Sequence, residues 1–365
     1  MTRGMAPSGP DEARERLRES FLRPGRPDRD RLRAVVEAAA GALAAEPAER
    51  RPPASDGRPG GLVRLLSGVP TIVVPDLHAR GAFILSLAAM PLPDGGDICG
   101  ALAEGALQVL CLGDGFHAEA RAAGRWRDAY REFLGGYTES TAMDDEMRES
   151  LSLMEMVMIL KAAFPRAFHF LKGNHENVLD EEGDGNHSFG KFAEEGAMVA
   201  EYMLGAYGRE LTESYAAFEK ALPLFAVGDR FLASHAEPAR AYSDEELVDA
   251  PNRPEVILGL TWTDNGAAEP GAVGALLDRI LPNVPDARYI TGHRPVPAPL
   301  RYLERSGGRH LQIHAPDSFN VAWVMPDRAL APELDVGAIP DISSSLPRQA
   351  GGQRRTHGGA TRIDR

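Results

Sequence analysis

The chain has 365 residues, 43% of them hydrophobic, and a formal charge of −13. That length suffices for one large core and permits two domains, while the acidic balance argues against a general nucleic-acid binder. With two cysteines, Cys99 and Cys111, and no CxxC pair, the composition excludes a disulfide framework and fits a reducing, cytoplasmic setting.

The start, Met1-Thr2-Arg3-Gly4, has no apolar stretch, so no secretory signal is expected. No run of about 18 apolar residues occurs, so no membrane partner is expected either. Residues 1–60 are rich in Arg, Pro and Ala. Within them 11–22 and 28–45 have helical character, and 47–61 is dense in Pro, Gly and Arg, as a linker is. This arm is expected to be a peripheral, solvated extension.

The texture changes at Val69. Thr71-Ile72-Val73-Val74 is a β-branched run that ends at Asp76-Leu77-His78. A helix is expected to begin at residue 82. Residues 106–112 form a second apolar strand, ending at Gly113-Asp114-Gly115. Residues 118–134 and 144–164 have helical period. A third strand, 167–171, runs into Lys172-Gly173-Asn174-His175-Glu176. Helices are expected at 191–207 and 214–222. A fourth strand, 230–234, ends at His235, and a fifth, 288–291, ends at Gly292-His293. Residues 310–314 and 320–325 are two more strand-like runs. The expected body spans 61–330, and 331–365 reads as a disordered tail.

Five apolar strands thus each end in Asp, Asn or His. In α/β proteins the loops after strand carboxyl ends gather at one edge and build the site. Asp76 and His78 lie two apart, so in an extended segment they point to the same side and one cation can take both. Asp114 has two oxygens, which suits a bridge between two cations, and Asn174, His235 and His293 would complete a second position. This mixed oxygen and nitrogen set fits Mn, Fe or Zn better than Ca. Two metals roughly 3.5–4 Å apart can clamp a phosphoryl group and activate a bridging water. His175 fits as general acid, with Glu176 or another carboxylate on its other nitrogen. Of the remaining histidines, His169 reads as a strand-interior residue, His187 and His310 as exposed, His357 as part of the tail, and His314 as lying near a strand end.

Taken in this order, the residues resemble the calcineurin-like metallophosphoesterase superfamily, whose hallmarks run Asp-x-His, Gly-Asp, Gly-Asn-His-(Asp/Glu), His, Gly-His. The resemblance covers about residues 70–325. The phosphoprotein phosphatase (serine/threonine phosphatase-like) branch is similar in further stretches: Tyr207-Gly208 with Ala221-Leu222-Pro223-Leu224, Leu260-Thr261-Trp262-Thr263-Asp264, and Gly292-His293-Arg294-Pro295-Val296. Pro295 stands where many other branches carry a second His. The resemblance implies an αββα fold, two mixed sheets packed face to face with helices outside. It also implies that Asp76, His78 and Asp114 hold one metal, that Asp114, Asn174, His235 and His293 hold the other, and that His175 is the acid.

The departures lie in Gly113-Asp114-Gly115-Phe116-His117-Ala118-Glu119. His117 replaces the Asp that pairs with the catalytic His in that branch, and Ala118 replaces the phosphate-gripping Arg. A bidentate guanidinium orients phosphate, so Arg80, Arg121 or Arg294 is expected to substitute, with Arg294 preferred because it adjoins a ligand. His117 either binds phosphate, supports His175, or is a plain neighbour. Glu119 and Glu237 would make the pocket more acidic. The expected activity is hydrolysis of phosphomonoesters, phosphoserine or phosphothreonine on protein among them, by a metal-bridging hydroxide. The partner is then a phosphorylated small molecule or phosphoprotein. The alternatives are a phosphoanhydride hydrolase, using Trp262, Phe116 or Tyr242 as a base platform, and an inactive metal-bound scaffold.

Overall fold

The computed structural model describes residues 6–93 and 95–343. In chain order its strands are β1 (Leu62–Arg64), β2 (Thr71–Val74), β3 (Gln108–Cys111), β4 (Phe168–Phe170), β5 (Phe225–Val227), β6 (Phe231–Ser234), β7 (Arg288–Thr291), β8 (Leu303–Arg305), β9 (His310–Gln312), β10 (Asn320–Val324) and β11 (Val336–Ala338). The helices are α1 (Pro10–Leu22), α2 (Arg29–Ala44), α3 (Gly81–Ala88), α4 (Ile98–Glu104), α5 (Ala123–Leu134), α6 (Thr141–Ala163), α7 (Glu195–Tyr207), α8 (Arg209–Lys220), α9 (Asp244–Val248), α10 (Pro254–Thr261), α11 (Ala272–Ile280) and α12 (Pro332–Asp335).

The strands form two mixed sheets, ordered β11-β10-β2-β3-β4 and β1-β5-β6-β7-β9-β8. Their packing follows from strand alternation. Val73, Leu110, Ala233, Ile290, Leu311 and Ala322 point between the sheets and form one apolar cluster. Their neighbours Ile72, Val74, Val109 and Cys111 point out under α1 to α8. Leu232 and Tyr289 point out the other way, under Leu260, Leu276 and Leu277 of α10 and α11. The result is the αββα arrangement of two mixed sheets between helical layers.

The N-terminal arm differs from expectation. Leu32, Val35, Val36, Ala39 and Leu43 recur at helical spacing on α2 and are buried, as are Ala13 and Leu17 of α1. Both helices pack on α6, which is buried along much of its length. Charge fastens the joint: Arg23 and Arg31 both pair with Glu155 of α6, whose side chain is fully buried. The stretch read as a linker is folded too. Arg51 is buried and donates to Glu46 Oε2 (2.8 Å) and to the carbonyls of Gly60 and Ala221 (2.7 Å each). Residues 6–60 are therefore not a solvated extension. At the other end β11 extends the first sheet, preceded by the short helix α12, and the rest of the expected disordered tail, from 344, lies outside the described residues.

Three-residue strands such as β1, β5, β8 and β11 are too short to show a period, and sequence reading misses them. The expected helix at 118 begins only at 123, because residues 115–119 are drawn into the site. Among the described residues no helix is long and apolar enough to cross a membrane.

Neutralising Glu155 leaves two guanidiniums without their buried counter-charge. Glu155→Gln is expected to lower the unfolding free energy by about 3 kcal/mol, at the lower end for a broken buried pair because both arginines keep some water contact. Urea denaturation monitored by circular dichroism checks this.

Candidate metal centre

Six loops bring the site residues together, each leaving the carboxyl end of a strand: Asp76 and His78 after β2, Asp114 after β3, Asn174 and His175 after β4, His235 after β6, His293 after β7 and His314 after β9. His293 is half-buried and the others are buried. The loops turn sharply. His78 (φ 42°), Asp114 (φ 52°), His117 (φ 65°) and His293 (φ 61°) all adopt left-handed backbone, which costs a non-glycine residue of order 1–3 kcal/mol. Hydrogen bonds hold it: the amides of Leu77 and His78 donate to the Asp114 carbonyl at 3.1 and 2.7 Å. Glycine is required where loops touch. A Cβ on Gly173 would lie 2.2 Å from Asp114 Oδ1, and one on Gly292 would lie 1.9 Å from Asp76 Oδ1.

The donor atoms face one another. His235 Nε2 lies 2.9 Å from Asn174 Oδ1, 3.2 Å from His293 Nδ1 and 3.4 Å from Asp114 Oδ2, and His293 Nδ1 is 3.0 Å from Asn174 Oδ1. These spacings match the edges of a polyhedron around a cation with bonds of about 2.1 Å. On the other side, His78 Nε2 lies 3.7 Å from Asp76 Oδ2 and 3.8 Å from Asp114 Oδ2. His235 Nδ1 is 3.0 Å from the Leu112 carbonyl, so it carries the proton and leaves the Nε2 lone pair aimed at the Asn174 oxygen. A cation between them would satisfy both lone pairs. Asp76 Oδ2 and His293 Nε2 are buried with no hydrogen-bond partner among the described residues. The residues present therefore fit metal ions, and Asp76, His78 and His314, His78, Asp114 and His175, and Asp114, His235 and His293 are groups able to hold one.

His175 does not meet Glu176 as expected. Glu176 instead accepts the amides of Gly173 (2.6 Å), Asp114 (2.9 Å) and Gly115 (2.7 Å), stapling the β3 and β4 loops together. The partner of His175 is His117, with their Nδ1 atoms 2.5 Å apart, and His175 Nε2 faces Asp114 Oδ2 at 3.8 Å. Phe189, which sequence reading did not single out, covers this pair: its ring is stacked on His117 (5.1 Å) and lies 3.8 Å from that of His175. It comes from the irregular segment between β4 and α7, which carries no sequence signal. His314, left at a strand end by the sequence, lies against Asp76; its position past β9 matches that of His293 past β7. His310, expected to be exposed, is buried, with Nε2 2.8 Å from Thr291 Oγ1.

The arginines separate by partner. Arg80 spends Nε, Nη1 and Nη2 on the carbonyls of Leu77, Pro316, Ser318 and Asp76. Arg121 is tied to the His78 and Ala79 carbonyls and to Glu149. Arg294 is exposed at the rim and paired with Asp264. The acidic pocket expected from Glu119 and Glu237 is offset, because Lys191 lies 3.1 Å from Glu119 and Arg305 lies 2.7 Å from Glu237.

A protein serine/threonine phosphatase from Saccharomyces cerevisiae with similarity to human phosphatase PP5 superposes on 85% of this chain and 88% of its own, at a TM-score of 0.52 and 15% identity. The chain shares the fold of that phosphatase. A cold-active protein-tyrosine phosphatase from a Shewanella species is similar over 76% of this chain and 82% of its own, at 12% identity and a TM-score of 0.43. No family model matches the sequence, and no curated protein does.

Burial dominates the electrostatics of the phosphatase-fold site. It pushes Asp76 up to about 7 and Asp114 well above the carboxylate range. It holds His78, His117 and His235 down at about 3 and His293 at about 2. The imidazoles are thus neutral and available as donors. A histidine with a depressed folded pKa contributes stability above its unfolded value, near 6.5, that is lost as pH falls; a carboxylate with a raised pKa acts in the opposite sense. Histidines outnumber the raised carboxylates here, and His169 and His310, also held down by burial, add to them. Metal-free protein is therefore expected to lose stability between pH 7 and pH 5, measured as a falling urea midpoint.

Proposed function

We propose that this chain is a dinuclear-metal-dependent phosphoesterase that hydrolyses phosphomonoesters, phosphoserine and phosphothreonine on proteins included. One observation carries the reading: Asp114 Oδ2 faces His78 Nε2 on one side and His235 Nε2 on the other, at 3.8 and 3.4 Å. A carboxylate shared by two donor sets is what a pair of cations requires. Asp76, His78 and Asp114 would hold the first, and Asp114, Asn174, His235 and His293 the second. Bound there, Mn, Fe or Zn ions supply Lewis-acid polarisation of the phosphoryl oxygens and a lowered water pKa.

The chain's own residues supply the remainder. His117 Nδ1 donates to His175 Nδ1, which leaves the His175 proton on Nε2, facing the shared carboxylate. An incoming phosphate dianion favours the imidazolium, and Nε2 then gives its proton to the leaving oxygen. Because the imidazolium carries protons on both nitrogens, the His117 bond is kept only with His117 in its Nε2-protonated tautomer, its Nδ1 then accepting from His175 Nδ1. Arg294 takes the role of phosphate grip. Arg80 and Arg121 are committed to backbone carbonyls, whereas the exposed guanidinium of Arg294 is held by a single side chain, Asp264, that substrate can displace. Of the three base-platform candidates, Phe116 and Tyr242 are buried, which leaves only the half-buried Trp262, edge-on to His187 at 5.3 Å, for a phosphoanhydride substrate.

Purified protein with Mn²⁺ is expected to turn over p-nitrophenyl phosphate and a phosphopeptide in preference to a bis-aryl phosphodiester and a dinucleoside tetraphosphate. Absence of turnover on all four, with metal shown to be bound, would leave only the inactive scaffold. His175→Asn is expected to lower kcat by about 10²–10⁴-fold with metal content unchanged. Loss of metal instead would reassign His175 as a ligand. Arg294→Ala is expected to raise KM for the phosphopeptide about tenfold, the equivalent of one charge-assisted hydrogen bond, as read from initial rates.

A further inference from the structure

We propose that His314 is a fourth protein ligand of the first cation, beside Asp76, His78 and Asp114. The inference rests on the dinuclear reading above. It begins in the sheet. Strands β7 and β9 run parallel with Thr291 opposite Gln312, so the residues two past each strand end, His293 and His314, leave the same sheet edge side by side. His293 turns to the Asn174 and His235 side. His314 turns to Asp76, with Nδ1 3.9 Å from Asp76 Oδ2 and its ring 5.6 Å from that of His78. Donor atoms of Asp76, His78 and His314 all lie within 4.8 Å of one another.

The second observation is what these atoms lack. His314 is fully buried, and neither Nδ1 nor Nε2 has a hydrogen-bond partner among the described residues. Asp76 Oδ1 accepts the His293 amide at 3.0 Å, but Oδ2 is likewise unpartnered. A buried polar atom left unpaired costs about 1–3 kcal/mol. Here a carboxylate oxygen and an imidazole with two such atoms face the same space. A cation placed between them would take the carboxylate oxygen and one imidazole nitrogen at once. The ring is placed by backbone rather than by side-chain bonds. The Val296 amide donates to the His314 carbonyl at 2.8 Å, and Arg80 binds the carbonyls of Asp76, Pro316 and Ser318, tying the β2 loop to the β9 loop. Arg80 is therefore a positioning residue for the first cation.

The fourth ligand has a chemical consequence. With His314 the first cation has two imidazoles and two carboxylates, a set that favours Zn²⁺ or iron over Mn²⁺. Without it the set is richer in oxygen and tips towards Mn²⁺.

The test uses metal-free full-length protein, titrated with Zn²⁺ and Mn²⁺ against a chromophoric chelator and with Co²⁺ by visible absorption. Wild-type protein, His314→Leu and His314→Ala are compared. Wild type is expected to bind two equivalents. Both variants should keep one site unchanged, weaken the other for Zn²⁺ by at least about tenfold, narrow the Zn²⁺ to Mn²⁺ preference, and change the Co²⁺ spectrum. His314→Leu fills the same space without polar atoms and should leave the metal-free melting temperature equal to or above wild type, which separates a ligand from a structural histidine. Two equivalents bound by His314→Leu with wild-type affinities and an unchanged Co²⁺ spectrum would overturn the proposal. Failure of wild type to bind any metal would instead overturn the dinuclear reading on which it rests.

Discussion

Asp114 is the residue through which the site is held. Its amide donates to Glu176, its carbonyl accepts from Leu77 and His78, its Oδ1 accepts the His175 amide at 3.0 Å, and its Oδ2 faces His78, His175 and His235. One strained residue thereby sets the relative positions of the loops after β2, β3 and β4 and turns a carboxylate toward β6. Its own backbone is left-handed, a conformation that persists only because these bonds over-determine it. The glycines beside it follow from the same crowding, since the Gly173 position has no room for a side chain.

Around that residue the site combines charge burial with neutral donors. Water is excluded from two carboxylates and from the imidazoles that face them, and desolvation disfavours every charged form at once. Cations relieve the carboxylates, and neutral imidazoles are the ligands cations prefer. The His117 and His175 pair extends this logic outward. An Asp at position 117 would add one more carboxylate to the buried Asp76, Asp114 and Glu176, whereas an imidazole bridges to His175 without adding charge, and Phe189 covers the pair.

The helical layer behind the first sheet depends on α6, a long, largely buried helix that carries the buried Glu146 and Glu155 on opposite flanks. Glu155 takes Arg23 and Arg31 from the N-terminal arm, while Glu146 takes Arg125 and the Ala118 amide. The second of these fixes the stretch that carries His117. The arm and the site loop are thus fastened to opposite flanks of one helix.

The side chains that converge in the candidate centre were legible because ligand chemistry is local. Asp-x-His, Gly-Asp, Gly-Asn-His and Gly-His each end an apolar strand, and parallel strands deliver their ends to one edge. The αββα class was implied by the family resemblance that these motifs carry, and the two mixed sheets agree with it. What the sequence did not determine depends on contacts between distant segments. Arginine-rich helices look solvated until Glu155 is seen to receive two of them. His310 looks like a surface residue until Thr291 is opposite it. Glu176 looks like a partner for its neighbour His175 until its carboxylate is found on three amides. His314 carries no motif, and only the register of β9 against β7 turns it toward Asp76. Residue type and spacing decide what chemistry a chain can perform, but the partner of each buried polar atom is chosen by packing, because desolvation acts on the folded neighbourhood and not on the sequence.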